Sequence, residues 1–194
     1  MPALRYSLKD MIKMIDYPNH GYCDRMVADN LELFISAHGS AHNHQNWPGG
    51  YWDHIEEVMN MAVILYQSDP RPFPFTLSSA LLVDFLHDVE KPWKYEIGLD
   101  GQLRHKEEFS TEEKSHAFRD KKIKEYNIIL TPDEENALKY VHGEGDDYSN
   151  RQRVMGPLGA FCHICDVWVA RIRFDCPMEA DDPWPGARRF ARNP

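Results

Sequence analysis

The run His87-Asp88-Val89-Glu90-Lys91 places an imidazole, a carboxylate and an ammonium within five positions. Neighbouring His and Asp side chains can face one ion, and this ligand set suits Mn, Fe, Co, Ni or Zn. A His-Asp pair alone says little. With 10 histidines in 194 residues, about one such pair is expected by chance, and requiring Lys three positions later cuts the expectation to roughly 0.05. The pair also ends Leu77 to His87, a stretch apolar nearly all round that reads as a buried central helix. A charge buried there would be costly without a metal or a partner. A different cysteine-based signal, Cys162-His163-Ile164-Cys165, has the spacing of half a zinc site, but Cys23 and Cys176 supply no second pair. These cysteines read as small buried hydrophobes with reduced thiols.

The segments that must position such a site are helical by period. Apolar residues recur at helical spacing from Leu4 to Ile15, from Met26 to Ala37, and from Tyr51 to Tyr66, where Ile55, Val58, Met59, Ala62 and Leu65 share one side. Asp69 to Pro74 ends the third of these, because proline cannot continue a helix interior. Ser110-Thr111-Glu112-Glu113 has the form of a capping box opening a charged helix to Tyr126. Thr131-Pro132 opens another that runs to about Val141, and Gly156 to Arg173 forms the last. Residues 38–50, rich in His, Asn and Gly, read as a loop, and residues 95–108 as a loop or small hairpin able to cover a site. The expectation is an all-α bundle of about seven helices in one domain spanning 1–194. Its core covers about 22–175, preceded by an N-terminal helix at 4–16 and followed by a Pro-rich tail at 176–194.

Composition limits what such a bundle does. The formal charge of -9 argues against gripping duplex nucleic acid, which depends on Lys and Arg neutralising phosphates. No apolar run approaches the roughly 20 residues a bilayer crossing needs, and residues 1–6 lack the apolar stretch of a signal peptide. The expectation is a cytoplasmic protein with a small substrate, its oligomeric state open.

A His-Asp pair followed by Lys after an apolar helix resembles the signature of HD-superfamily phosphohydrolases. Gly49-Gly50-Tyr51-Trp52-Asp53-His54-Ile55-Glu56-Glu57-Val58 is similar to the stretch carrying that superfamily's first ligand, and Phe161 to Arg171, around Asp166, to the helix carrying its last. The match spans about 38–175. It implies His54, His87, Asp88 and Asp166 as core metal ligands. His116 and His142 stand where many members hold a second ion, so one or two divalent transition metals are implied, with Asp88 bridging in the second case. The resemblance further implies hydrolysis of a nucleotide phosphoester or phosphoanhydride by a metal-activated water. Asp88 and His116 would act at the reacting centre, with Lys91 and Arg171 neutralising substrate phosphate. The His-rich loop before Gly49-Gly50 implies His44 and Trp47 as substrate contacts, ahead of His38 and His42. His105, beside Arg104 and Lys106, is a further phosphate contact. Where many relatives have Gly before the Lys, this chain has Glu90, which is expected to point to solvent.

The same residues leave other readings open. The same loop suits a 3'-5' exonuclease or a cyclic-nucleotide phosphodiesterase. Some HD proteins with the same six ligands are mixed-valent di-iron oxygenases. A binding module that uses the helices only as scaffold is the non-enzymatic alternative.

Overall fold

The computed structural model describes residues 5–41 and 44–174. His42 and the Pro-rich tail at 176–194 lie outside the described residues. Within them the chain forms α1 (Leu8–Ile12), α2 (Asn19–Asp29), α3 (Leu31–Ser36), α4 (Gly50–Ser68), α5 (Leu77–Leu86) and the one-turn α6 (Lys91–Lys94). An antiparallel hairpin follows, β1 (Tyr95–Ile97) with β2 (Leu103–His105), pairing Glu96 with Arg104. Then come α7 (Glu112–Glu125), α8 (Pro132–Tyr140) and α9 (Pro157–Ile172). The all-α expectation holds, with a two-stranded ribbon as its exception.

Three corrections have local causes. The helix expected from Leu4 starts at Leu8, where Ser7 is extended and its side chain accepts from the Asp10 amide. The helix expected over Met26 to Ala37 is two, α2 and α3, because Asn30 leaves helical geometry at φ -125° and ψ 26°. Apolar periodicity runs straight across that break. This split and the single turn of α6 raise the expected seven helices to nine among the described residues. The capping at α7 and α8 follows the sequence: Thr111 accepts from the Lys114 amide, and Thr131 and Glu134 form a reciprocal capping box.

The core is built where α4 packs on α5 and α9, α5 also packs on α9, and α8 closes against both α5 and α9. Tyr51, Ile55, Val58 and Met59 of α4, Leu81, Leu82 and Phe85 of α5, and Cys162, Cys165 and Val169 of α9 are buried in it. Cys23, Cys162 and Cys165 are free thiols, as expected, and Cys176 lies outside the described residues. Among the described residues no helix is long and apolar enough to cross a membrane.

Entry into α4 depends on its glycine pair. Gly49 has φ 87°, a left-handed conformation that favours glycine. A Cβ on Gly50 would stand 1.8 Å from the Gln45 carbonyl oxygen. That close approach folds the His44 loop down onto the start of α4.

Candidate metal centre

The three helices at the heart of the core each deliver part of one cluster. His54 lies one turn into α4, His87 caps α5 with Asp88 immediately after it, and Asp166 sits midway along α9. All four are buried, and one donor atom from each lies within 4.8 Å of the others. His54 Nε2 is 3.4 Å from His87 Nε2, 3.4 Å from Asp88 Oδ2 and 3.3 Å from Asp166 Oδ1. His87 Nε2 is 3.2 Å from Asp88 Oδ2 and 3.6 Å from Asp166 Oδ1.

Whether this donor set suits a cation can be tested on His87. Its Nδ1 lies 2.6 Å from the Asp84 carbonyl oxygen, which can only accept, so Nδ1 carries a proton and donates. In the neutral ring Nε2 then presents a lone pair to two carboxylates and a second imidazole. Acceptors converging on one point in a buried volume require a positive charge among them, and a backbone carbonyl fixing the outer nitrogen is the usual support for a metal-binding histidine. The residues fit a divalent ion.

Without an ion, protons fill the role. Burial alone would depress the His87 pKa, but Asp88 and Asp166 overcome it and hold the imidazole well above its ordinary value. Burial likewise works against the charge on Asp88, yet Lys91 and His87 pull that carboxyl far below its usual range. Asp166 is held low by its contacts with His54 and His87. Lys91 is buried with its Nζ 2.5 Å from Asp88 Oδ2 and 3.2 Å from His44 Nε2. It stays charged, because Asp88 outweighs the cost of burying it.

A second, more open group lies beside the first. Glu112, His116 and His142 also bring donor atoms within 4.8 Å of one another. His142 Nε2 is 3.6 Å from Asp88 Oδ1, whereas Asp88 Oδ2 faces the buried histidines. One carboxylate therefore joins the two groups. Glu112 was missed by sequence reasoning, because an acid in the first turn of a helix reads as a favourable partner of the helix dipole.

The remaining expected site residues are distributed unevenly. His44 reaches the cluster: its ring centroid is 4.6 Å from that of His54, and burial, reinforced by the nearby Lys91 charge, pushes its pKa down to about 2. Trp47 is directed to α4, where its indole N–H donates to Asp53 Oδ2 at 2.9 Å. His38 contacts Asn46 at 2.9 Å. His105 is exposed on β2, its ring 5.2 Å from Tyr95. Arg171 is exposed on α9, five residues beyond Asp166 and so turned about 140° around the helix from it. His105 belongs to neither group of donors.

Glu90 corrects an expectation. It is buried, not turned to solvent, and lies 3.6 Å from Lys94. Burial and the neighbouring Asp88 raise its pKa. The reason is geometric: Asp88, Glu90 and Lys91 fall in a tight run between α5 and α6 whose backbone turns on itself, the Lys91 amide donating to the Asp88 carbonyl.

No family description, curated protein or solved structure matches this chain.

Proposed function

We propose that this chain is a metal-dependent phosphohydrolase of the HD type, acting on a small phosphate-containing molecule and, in the leading reading, on a nucleotide. The convergence of His54, His87, Asp88 and Asp166 within 4.8 Å, beside the ammonium of Lys91, carries the proposal. A divalent transition ion held there supplies Lewis acidity toward a phosphoryl oxygen and lowers the pKa of a coordinated water toward neutrality.

The protein's own groups account for the rest. Asp84 fixes the His87 ring through its carbonyl, so that Nε2 faces inward. Lys91, charged and buried, neutralises phosphoryl charge as it develops, which is worth most in a site that excludes water. His44 is neutral across the physiological range. Its ring nitrogen, 3.2 Å from Lys91 Nζ, accepts a hydrogen bond that orients the ammonium. His116 and His142, with Glu112, offer a second cation position sharing Asp88, the arrangement of a two-ion site that clamps attacking and leaving oxygens.

The same six ligands would serve a di-iron oxygenase, so the test separates the two chemistries. The purified chain is assayed for bound metal, then for phosphate release from a panel of nucleotides with Mn, Fe, Co, Ni or Zn, and for oxygen consumption with Fe(II). Phosphate release abolished together with metal binding in His87→Ala and Asp88→Ala supports the hydrolase. Full turnover in either variant, or oxygen uptake without phosphate release, refutes it.

A further inference from the structure

Glu112 opens α7 one turn before His116, and its Oε1 lies 3.6 Å from His116 Nε2. Residues four apart share one face of a helix. The pair therefore meets His142, just beyond α8, together, and one donor atom from each of the three lies within 4.8 Å of the others. Two imidazoles and a carboxylate converging in this way suit a divalent transition ion. Asp88 ties the group to the buried centre, its Oδ1 standing 3.6 Å from His142 Nε2.

The two groups of donors would hold an ion on unequal terms. The His54 and His87 side chains are fully buried, and the Asp84 carbonyl fixes the outer nitrogen of His87, so little is left to order when an ion binds. Glu112 is different: its side chain is 72% exposed, and it must give up rotamer freedom to become a ligand. Asp88 is also divided, because Lys91 and the buried histidines face its Oδ2 and leave only Oδ1 toward His142. An ion already seated at the buried centre repels the next, the two being about 3.5–4 Å apart in two-ion sites. Arg119, one turn beyond His116 and buried, adds to the repulsion. Burial, and after it the Arg119 charge, lowers the His116 pKa, and that charge opposes a metal cation at His116 for the same reason. Against it stands the carboxylate of Glu112.

We propose that the centre holds a resident ion at His54, His87, Asp88 and Asp166 and an exchangeable ion at Glu112, His116 and His142, with Glu112 the ligand that sets the affinity of the exchangeable position, so that turnover follows the free metal concentration. The control of turnover rests on the phosphohydrolase reading given above, whereas the two affinities do not, and the test separates them. Calorimetric titration of the metal-free full-length chain with Mn(II) reads the affinities without turnover. It should resolve two classes of one ion each, the second weaker by about tenfold or more. Desalting the loaded chain should leave one ion, and dialysis against excess Mn(II) should restore two. Losing a group that merely supports a ligand costs about 10–100-fold in metal affinity, so Glu112→Gln should weaken the second class by at least that lower figure and leave the first within about twofold. Glu113→Gln removes the same charge one position along, from an exposed acid outside both groups of donors, and should leave both classes within about twofold. A single class, two classes of equal affinity, an unmoved second class in Glu112→Gln, or an equal loss in Glu113→Gln overturns the assignment. Phosphate release should reach half its maximum near the dissociation constant of the second class and move with it in Glu112→Gln. Full turnover by the desalted one-ion chain overturns the control. Two classes that depend on Glu112, without phosphate release under any metal, leave the exchangeable position standing and remove the phosphohydrolase.

Discussion

Metal binding at the His54, His87, Asp88 and Asp166 centre should compete with protons, and the geometry sets the size of the effect. His87 is held well above its ordinary pKa by two carboxylates, so below pH 6.5 it carries a proton that the ion must displace. Displacing one proton weakens apparent affinity about tenfold for each pH unit of acidification, or about 1.4 kcal/mol. The sign for the metal-free chain is opposite. A histidine whose folded pKa is raised contributes stability that is fully present below about 6.5 and lost as pH rises through the folded value. At a hundredfold excess over Kd the ion adds about 2.7 kcal/mol, and at about 2–4 °C per kcal/mol for a chain of this size Tm should rise by about 5–11 °C. The gain should widen as pH increases. Thermal denaturation with and without Mn or Zn, with calorimetric titration at pH 5.5, 6.0 and 6.5, measures both effects. Affinity that stays flat over that range, or a Tm gain that survives in His87→Ala, refutes the reasoning.

Other changes should read separate parts of the centre. Lys91→Met should keep the ion yet lower turnover by about 10²–10³, the usual cost of removing one charge-stabilising donor, as checked by metal content against phosphate release. His116→Ala or His142→Ala should cut metal stoichiometry from two to one by elemental analysis, and an unchanged count would remove the second position. Asp84 is pushed up to about 8 by burial, against an ordinary 3.8. Its folded form therefore binds the extra proton, and metal-free stability falls as pH rises between those values. Asp84→Asn should recover up to about 4 kcal/mol at pH 7 and nothing near pH 4, as denaturant titration will show. Gly50→Ala, whose Cβ meets the Gln45 carbonyl, should cost about 3 kcal/mol by the same method.

Much of the centre was legible because its ligands lie where local pattern and chemistry agree. His87 and Asp88 end an apolar helix where a charge needs a partner, and the apolar spacing around His54 and Asp166 marks the helices that carry them, so their types and settings point the same way. What escaped depended on distance. Glu90 looks like any acid beside a lysine until the turn between α5 and α6 buries it. Arg119 sits in a helix so rich in charge that no single cation stands out, and only the packing of α7 shows that it is the buried one. The α2 and α3 division was invisible for the opposite reason: one residue's backbone changed while the apolar spacing continued.

The loop bearing His44 is tied to the far end of the chain's last described helix. The Gln45 amide donates to the Phe174 carbonyl at 2.6 Å, and its side-chain nitrogen donates to the Arg173 carbonyl at 2.8 Å. Residues 173 and 174 thus act as a tether for a segment that reaches Lys91 through His44. Trimming the protein at Ile172, or fusing a rigid tag there, would slacken that segment and disturb the ammonium beside Asp88 without altering any ligand. Expression designs for this chain should leave that end intact.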